Sequence, residues 1–417
     1  MHNNVVWYLE AIPIFCFGYP FVMAFYWMFG AIMFWYFFER RYNKVNQPPR
    51  LASYPPISII VPCFNEGETA AETFGALTRI DYPDFEIIAV NDGSRDRTGE
   101  ILESLAQYMP QMRVVNLAQN QGKATAMNIG ALLARHELLV LIDGDALLDP
   151  HALRWVAWRF NVPHLGGLTG NPRIRNRTSI LGRLQVGEFS SIIGLIKRAQ
   201  ATYARLFTVS GVICAFRKVA LHDAGWWSPH TLTDDVDITW RIQTAGWRIS
   251  YAANVIVWIL MPETLRGLWR QRLRWAEGGA QMLIDHAAPM VQGKQPTLIP
   301  VYVNVVLSIL WAYCIVLTLA FGLLHFLHLP VLSQVPTFSL IPQWYGLTLC
   351  LTYLLQAFLS TSLERRFEPG MRWSLFWIIW YPLAFWLMSA LTAVVALPRA
   401  LFGGRSGRWI SPDRGLR

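Results

Sequence analysis

The sequence predicts an α/β domain with a mostly parallel sheet, inserted between apolar helices long enough to cross a membrane. Three observations predict this arrangement. Uncharged apolar segments lie near both ends of the chain. Short β-branched runs alternate with helix-like stretches between them. The composition is also more apolar than that of an ordinary soluble enzyme.

The composition narrows the class of protein. Hydrophobic residues make up 53% of the 417 residues, and the mean hydropathy is +0.29. The 19 Trp and 23 Phe residues fit aromatic belts at membrane interfaces. The net charge of +9 lies mostly beside apolar segments, which favours anionic headgroups or a diphosphate over nucleic acid as the partner. The five cysteines form no CxxC pair and the nine histidines no HExxH motif, so neither a zinc site nor a disulfide framework is indicated.

The first apolar segment, Ile12 to Phe38, carries no charge and is long enough to span a bilayer. It lacks the short apolar core, the preceding positive charge and the small-residue cleavage site of a signal peptide. Arg40, Arg41 and Lys44 follow it, and the positive-inside rule places them in the cytoplasm. We therefore expect residues 1–45 to form an N-terminal membrane segment and residues 46–290 a cytoplasmic domain.

Strand-like and helix-like segments alternate from residue 57 to about residue 260. The predicted strands are Ile57–Val61, Phe85–Val90, Arg113–Leu117 and Leu138–Ile142, and the predicted helices are Glu68–Arg79, Arg97–Tyr108 and Gly122–Arg135. This pattern predicts helices on both faces of the sheet. Ligands of such sheets bind beyond the carboxyl ends of the strands, where Asp92 and Asp143 fall.

Two amphipathic stretches, Ser179–Ala199 and Glu263–Ile284, follow in the second half of this region. Either stretch could lie in the membrane interface or pack on the core of the domain, and periodicity does not separate the two.

The last third of the chain is again apolar. Leu298–Leu327, Trp344–Leu363 and Trp373–Leu397 are each long enough to span, which predicts a membrane bundle over residues 291–400. The loop Glu364–Arg372 and the tail 401–417 are both basic. Three simple crossings would place them on opposite sides, although the positive-inside rule favours the same side for both. Pro382 interrupts the last segment, so a bent or interfacial helix is the alternative.

Two acidic motifs follow predicted strands. Asp143-Gly144-Asp145 offers two carboxylates that can share Mg²⁺ or Mn²⁺ with a diphosphate. Asp92, in Asn91-Asp92-Gly93-Ser94, could accept a hydrogen bond from a uracil N–H, with Gly93 allowing the base to approach. The alternatives are a polar loop and a plain turn.

Thr233-Asp234-Asp235 precedes a predicted helix. The structural interpretation is a helix cap, with Thr233 as the capping residue and the acids favoured by the helix dipole. The functional interpretation adds a general base, because a sugar hydroxyl is a poor nucleophile until a carboxylate takes its proton. We assign that role to Asp235, with Asp234 beside it.

The fourth motif is Gln271-Arg272-Leu273-Arg274-Trp275. Arg272 and Arg274 could make forked contacts to diphosphate oxygens, and Trp275 could stack on an acceptor sugar. The alternative is a set of side chains that anchor an interfacial helix to headgroups. Lys123 is a further candidate for phosphate binding, and the alternative for it is a solvated surface charge.

The order of these motifs resembles that of processive family-two glycosyltransferases, which include cellulose, hyaluronan and chitin synthases. This resemblance covers residues 57–280. Further stretches are similar to the catalytic subunits of bacterial synthases of β-1,6-linked poly-N-acetylglucosamine: Asn171–Arg175, Gln185–Glu188, Thr208–Ile213, Trp258–Leu265 and Trp409–Gly415. The similarity therefore extends over nearly the whole chain.

The resemblance implies a GT-A (Rossmann-like) glycosyltransferase domain and an inverting transfer from UDP-N-acetylglucosamine. It also implies growth of a β-1,6-linked polymer and its export across a bacterial inner membrane. The matching positions are Asp92 for the nucleotide, Asp143 and Asp145 for the DxD pair, Asp235 for the base, and Gln271, Arg274 and Trp275 for the QxxRW contacts.

The chain also departs from the family. The family usually has Glu where this chain has Asp234, which shortens one side chain and leaves the assigned base in place. Close members begin with two membrane helices, and one full span precedes the domain here. The family implies a small membrane accessory subunit and control by cyclic di-GMP. This chain has no Arg-rich receptor motif for that nucleotide, so we expect any such sensor to be shared with the partner.

Two rival functions use parts of the same pattern. A non-processive enzyme that moves one sugar to a lipid phosphate would share the DxD pair without needing QxxRW and a following helical bundle. A transporter or scaffold with an inactive transferase-like domain is disfavoured, because charge within the apolar segments is sparse and paired discontinuous spans are absent from the sequence.

Overall fold

The computed structural model describes residues 2–42, 44–327, 344–368, 370–380 and 385–403. Pro382 and residues 404–417, which make up most of the predicted basic tail, lie outside the described residues.

One mixed sheet of eight strands forms the centre of the domain, in the order β3-β2-β1-β4-β7-β6-β8-β5. The strands are β1 Ile57–Cys63, β2 Phe85–Asn91, β3 Met112–Asn116, β4 Leu138–Ile142, β5 Leu147–Leu148, β6 Leu165–Ile174, β7 Ile213–Arg217 and β8 Arg248–Ile259. Strands β1 to β4 pair in parallel, as predicted. In the rest of the sheet, β6 pairs with β8 in parallel, whereas β7 runs antiparallel to β4 and β6, and β5 antiparallel to β8. The sheet is therefore mostly parallel, as predicted, with β5 and β7 as its antiparallel strands.

Fourteen α-helices occur in the described residues. They are α1 His2–Phe34, α2 Ala70–Leu77, α3 Thr98–Tyr108, α4 Lys123–Leu133, α5 Ala152–Arg159, α6 Ile180–Gly187, α7 Gly194–Thr202, α8 Lys218–Asp223, α9 Asp234–Thr244, α10 Leu265–Val291, α11 Ile299–Phe326, α12 Trp344–Glu364, α13 Met371–Ile378 and α14 Leu387–Phe402. A π-helical segment, Trp35–Glu39, continues α1, and a second one, Glu188–Ile193, joins α6 to α7.

The sheet is buried on both faces because successive side chains of a strand point in opposite directions. On β1, Ile59 and Val61 pack with α2, α3 and α5 in one core, whereas Ile60 packs with α4, α8 and α9 in the other. Each fully buried aliphatic side chain stabilises the fold by roughly 1.5–3 kcal/mol. The prediction of helices on both faces is therefore confirmed.

Three helical segments are long and apolar enough to cross a membrane: Ala11–Glu39, Pro296–Leu324 and Trp344–Glu364. They correspond to three of the four predicted spans. Large apolar side chains such as Phe29, Leu323 and Phe358 are exposed on them, as expected for faces that meet lipid.

The fourth predicted span, Trp373–Leu397, is not one continuous helix. Helix α13 reaches only to the middle of α12, where Tyr353 Oη donates to Ile378 O (2.7 Å). Trp386 then packs against Trp311, midway along α11. Helix α14 leads back to the domain, where Arg399 pairs with Glu277 of α10 (3.1 Å).

The described ends of this segment, α13 and the last turn of α14, therefore both contact the domain. A hydropathy pattern could not reveal this, because two short helices in series have the same apolar length as one span.

Buried ion pairs join the membrane helices to the domain. Arg198 of α7 pairs with Glu39 after α1 (Nε to Oε1, 3.0 Å) and with Glu364 of α12. Glu364 also pairs with Arg173 of β6, and Arg366 pairs with Glu39. These arginines are thus internal ties between the membrane helices and the domain. Helix α7 packs inside the molecule, which favours the core interpretation of its amphipathic pattern.

Candidate active site

The DxD carboxylates lie at the carboxyl end of β4, where the sequence places them. The Asp143 side chain is about a quarter exposed, and Asp145 is buried. Between them, a Cβ on Gly144 would lie 2.9 Å from Cγ of the buried Glu66, so close packing requires a glycine here. Glu66 is an acidic neighbour that sequence reasoning did not identify.

Lys123, the first residue of α4, links two acidic motifs. Its Nζ donates to Asp143 Oδ1 (2.5 Å) and to the carbonyl oxygen of Gly211 (3.2 Å). Burial alone would lower the pKa of this ammonium, but the negative charges of Asp143, Asp234 and Asp235 outweigh burial and raise the pKa. Lys123 is therefore held charged inside the site rather than solvated.

Asp235 faces the same segment. Its Oδ2 lies 3.6 Å from the position of a Cβ on Gly211, and its Oδ1 accepts the Val236 N–H (3.0 Å). Burial, followed by the charge of Asp234, raises the pKa of Asp235 to about 6, although Lys123 and Lys197 oppose the rise. The structure thus brings Asp143, Lys123, Asp234 and Asp235 to one place.

Thr233 lies beside these acids but does not cap α9 as predicted. Its hydroxyl makes no capping hydrogen bond, and its Oγ1 is buried without a partner among the described residues. A Cβ on Gly278 of α10 would lie 2.3 Å from Thr233 Cγ2. This contact packs the helix that carries the QxxRW motif directly on the Thr233–Asp235 motif.

Asp92 directly follows β2, at the carboxyl end of the strand as predicted. It is fully buried, and its two carboxylate oxygens accept the backbone N–H groups of Gln121 (2.8 Å) and Gly122 (2.9 Å). Burial, partly opposed by these two bonds, raises the pKa of Asp92. Asp92 therefore shapes the loop that leads into Lys123.

Gly93 has a related structural function. Its φ is +63°, and a Cβ there would lie 2.4 Å from the Gln119 carbonyl carbon. The loop itself therefore requires a glycine here, and the approach of a base at Gly93 stays a prediction.

The two arginines of the QxxRW motif have different environments. Arg272 is buried and makes two parallel bonds to the carboxylate of Glu188, one of them 2.6 Å long. Its guanidinium also lies over the Trp275 ring, 4.7 Å from the centroid. The predicted diphosphate contact of Arg272 is therefore replaced by an internal ion pair. Arg274 is exposed and has no ion pair in the described part of the chain, so it remains the candidate for the diphosphate.

Gln271 and Trp275 lie on the same helix as these arginines. The Gln271 Oε1 is buried and has no hydrogen-bond partner within the described ranges. The half-buried Trp275 packs against the core and Phe189. Both side chains remain candidates for substrate contacts.

Lys197 of α7 is the nearby cation that sequence reasoning missed. It is buried, donates to the carbonyl oxygen of Thr208 (2.9 Å), and contributes to the field at Asp235. The available signal was a lysine inside an apolar stretch, but the pattern could not identify the group that it faces.

Comparisons with known proteins define the class. Residues 55–278 match the family model described as "Glycosyltransferase like family 2". The chain belongs to the family 2 glycosyltransferases, and it is an enzyme of that class.

Two relatives extend the similarity beyond this domain. The poly-beta-1,6-N-acetyl-D-glucosamine synthase of Staphylococcus epidermidis is 34% identical over 406 residues, which cover 95% of this chain and 97% of that protein. The protein of the same name from Staphylococcus aureus strain COL is 34% identical over 401 residues, with the same coverage. The resemblance predicted from the motifs is confirmed.

A solved structure shows the same fold. It is a mannosyltransferase from Pyrobaculum calidifontis in complex with GDP-Man and Mn²⁺, with a TM-score of 0.57 and 19% identity. The match covers 94% of this chain and 99% of that protein, so the similarity in fold includes the helices on both sides of the domain.

Proposed function

We propose that this enzyme polymerises N-acetylglucosamine from UDP-N-acetylglucosamine into a β-1,6-linked polysaccharide at a membrane, and exports the polymer across it. The observation that carries this proposal is the meeting of Asp143, Lys123 and Asp235 beside α10, the helix that continues into the apolar bundle. The sugar and the linkage are taken from the names of the two relatives, whose alignments cover 95% of this chain.

Asp235 acts as the general base in this proposal. Its carboxylate takes the proton of the acceptor hydroxyl, and the oxygen forms a bond to the anomeric carbon from the face opposite UDP. The bond from that carbon to the diphosphate oxygen breaks, and UDP leaves with the electron pair. No second carboxyl is needed as an acid, because the diphosphate leaves without protonation. A base of this kind contributes about 10²–10⁴-fold to the rate.

Asp143 and Asp145 would hold a divalent cation, Mg²⁺ or Mn²⁺. The fit rests on the donor set, since both acids lie at one strand end and hard cations prefer oxygen ligands. The described residues contain no group of three or more side chains that could ligate a metal ion. Oxygens of the UDP-sugar diphosphate would therefore have to complete the coordination of the cation. When bound, the cation offsets charge that grows on the leaving diphosphate.

The remaining side chains bind and orient the substrates. Lys123, Gln271 and the exposed Arg274 contact the donor, Asp92 holds the loop before Lys123, and Trp275 packs on the acceptor sugar. Arg272 supports Trp275 through its contact with the ring. The residues that contact the UDP-sugar come from helices on both sides of the sheet edge. Together they restrict the orientation of the sugar during transfer.

We place the catalytic domain on the cytoplasmic side of a bacterial inner membrane. Arg40, Arg41 and Lys44 directly follow the first candidate span, and Arg365 and Arg366 directly follow another. The positive-inside rule then places the basic residues after both spans on the cytoplasmic side. A small membrane accessory subunit, with control by cyclic di-GMP through the complex, completes the proposal on the strength of the family resemblance.

The test is incubation of the purified full-length protein in lipid nanodiscs with a panel of UDP-sugars and either Mg²⁺ or Mn²⁺. The expected result is a polymer from UDP-N-acetylglucosamine alone, with 1,6 linkages on linkage analysis. Single-sugar lipid products would overturn the polymerase and support the rival transfer to a lipid phosphate. A polymer with other linkages would retain processivity and overturn the assigned product.

A further inference from the structure

Lys197 is a buried ammonium with no ion-pair partner among the described residues. It is 7% exposed, and its Nζ donates to the carbonyl oxygen of Thr208 at 2.9 Å. Among the residues with described positions, none of the ion pairs includes Lys197. A carbonyl oxygen satisfies one N–H of a charge that is costly to bury alone. The charge of Lys197 is therefore left to act on the acidic groups around it.

Asp235 is the acid that acts most strongly on Lys197. One segment of backbone connects Asp235 with two lysines. Lys197 binds the carbonyl oxygen at the start of the segment Thr208–Gly211, and Lys123 binds the carbonyl oxygen at its end. The Gly211 position faces Asp235 Oδ2. The carboxylate thus lies against a segment that has an ammonium at each end.

The interior of this segment is fixed as well. The Val209 N–H donates to Thr239 Oγ1 (2.9 Å), and the Thr239 hydroxyl donates to the carbonyl oxygen of Asp235 (2.6 Å). The Ser210 N–H donates to Thr169 Oγ1 (2.8 Å). A movement of the segment would therefore move Asp235 with it.

The two lysines are not equivalent. Lys123 is paired with Asp143, and it opposes the rise in the pKa of Asp235 more strongly than Lys197 does. Lys197 has no such pair within the described part of the chain, and its position is fixed by the residue beside it. Arg198 is fully buried between Glu39 and Glu364, which belong to the ends of two candidate membrane spans.

We propose that Lys197 is a positioning residue for glycosyl transfer, which holds the segment Thr208–Gly211 and keeps the Asp235 carboxylate ionised in its place beside the acceptor. This inference rests on the proposed function, because it takes Asp235 to be the base. Lys197 touches neither substrate in this account and acts through Asp235.

The charged and titratable groups that face Asp235 set the direction of the expected effect. They are Asp234 on the same helix, Lys123 on α4, Lys197 on α7 and the thiol of Cys214 on β7. Burial and Asp234 favour the protonated acid, and the two lysines oppose them. Burial lowers the pKa of Lys197 to about 8, so Lys197 is still mainly charged at neutral pH. Removal of its charge therefore raises the pKa of Asp235.

The experiment compares pH profiles of initial UDP release by the full-length protein in nanodiscs, at saturating UDP-N-acetylglucosamine. The variants are Lys197→Gln, which can keep the bond to Thr208 without the charge, and Lys197→Arg, which keeps the charge. Lys218→Gln is the matched control, because Lys218 also donates to a backbone carbonyl (Ala134 O, 2.7 Å) but is the first residue of α8, directly after the far end of β7.

The expected result is an acid limb of kcat that moves to higher pH in Lys197→Gln by about one pH unit. The rate should then fall about tenfold below wild type at low pH and recover at high pH, with KM for the donor nearly unchanged. Lys197→Arg and Lys218→Gln should keep the wild-type limb. A Lys197→Gln profile that is lower at every pH by one factor, with its limb in place, would show a merely structural residue and overturn the inference.

Asp235→Asn separates this inference from the proposed function. Retained synthesis in Asp235→Asn would overturn both, since Asp235 would not be the base. Loss of synthesis in Asp235→Asn together with an unmoved limb in Lys197→Gln would overturn the positioning role alone. If Lys197→Gln does not fold, Lys197→Met serves as the second neutral variant with the same criteria.

Discussion

Lys123 Nζ lies 2.5 Å from Asp143 Oδ1, and this pair connects the DxD motif on β4 to the acids at the start of α9. The same ammonium binds the carbonyl oxygen of Gly211, which lies against Asp235. The residues that would bind the leaving group and the residue that would activate the nucleophile are thus joined through one side chain. A diphosphate that enters the site would compete with Asp143 for this ammonium.

The two arginines of the QxxRW motif should respond differently to substitution. Arg272→Ala removes one partner of a buried ion pair and leaves Glu188 without its guanidinium, which typically costs about 3–5 kcal/mol. A clear fall in the thermal unfolding temperature is expected for Arg272→Ala. Arg274→Ala should unfold at the wild-type temperature and bind UDP more weakly. Equal unfolding temperatures for the two variants would contradict the assignment.

Gly278 and Gly279 form a matched pair on α10. A Cβ on Gly278 would lie 2.3 Å from Thr233 Cγ2 and 2.8 Å from Thr233 Cβ, so Gly278→Ala must push α10 away from the catalytic acids. A Cβ on Gly279 would meet only Phe207 Cζ, at 3.9 Å. Initial rates of UDP release should fall at least about tenfold in Gly278→Ala, given the cost of small displacements in positioned reactions. Gly279→Ala should remain close to wild type, and equal rates in both would disprove the packing argument.

Asp92→Asn should loosen the loop before α4. An amide offers one oxygen where the carboxylate offers two, so either the Gln121 or the Gly122 N–H loses its acceptor at a cost of about 1–3 kcal/mol. Faster hydrogen exchange at residues 119–123 and a weaker affinity for UDP are expected. The control is Asp84→Asn, because the Asp84 side chain is exposed. Unchanged exchange in Asp92→Asn would contradict this structural function of Asp92.

The rate should depend on pH through Asp235. The base must be ionised to accept a proton, and its pKa is raised to about 6 by burial and by Asp234. The ionised fraction therefore falls as the pH falls through about 6, and kcat should fall with it, about tenfold per pH unit below that value. Activity that remains level down to about pH 4 would be inconsistent with a base of raised pKa.

Local patterns in the sequence predicted the parts of the site that depend on local structure. Asp143 follows a run of five apolar residues, and the alternation of strands and helices is sufficient to place it at a sheet edge. Asp235 could be placed at a helix start for the same reason. The parallel half of the sheet and three of the four spans were predicted on similar grounds.

The remaining features depend on partners that are distant in sequence. Nothing near Arg272 indicates that Glu188 will pair with it, and nothing near Lys197 indicates that it will face Asp235. The antiparallel β7 and the return of α14 toward α10 also depend on tertiary contacts, which a periodic pattern does not encode. The sequence therefore predicted which side chains belong to the site better than it predicted the contacts that hold those side chains in place.

The most direct test of the account compares wild type with Asp235→Asn for two properties of the purified protein. The account predicts that Asp235→Asn binds UDP-N-acetylglucosamine with nearly wild-type affinity and makes at least about 10²-fold less polymer. Such a result would separate proton transfer from donor binding within one site. Polymer output equal to that of wild type would contradict the central claim that Asp235 activates the acceptor beside Lys123 and Asp143.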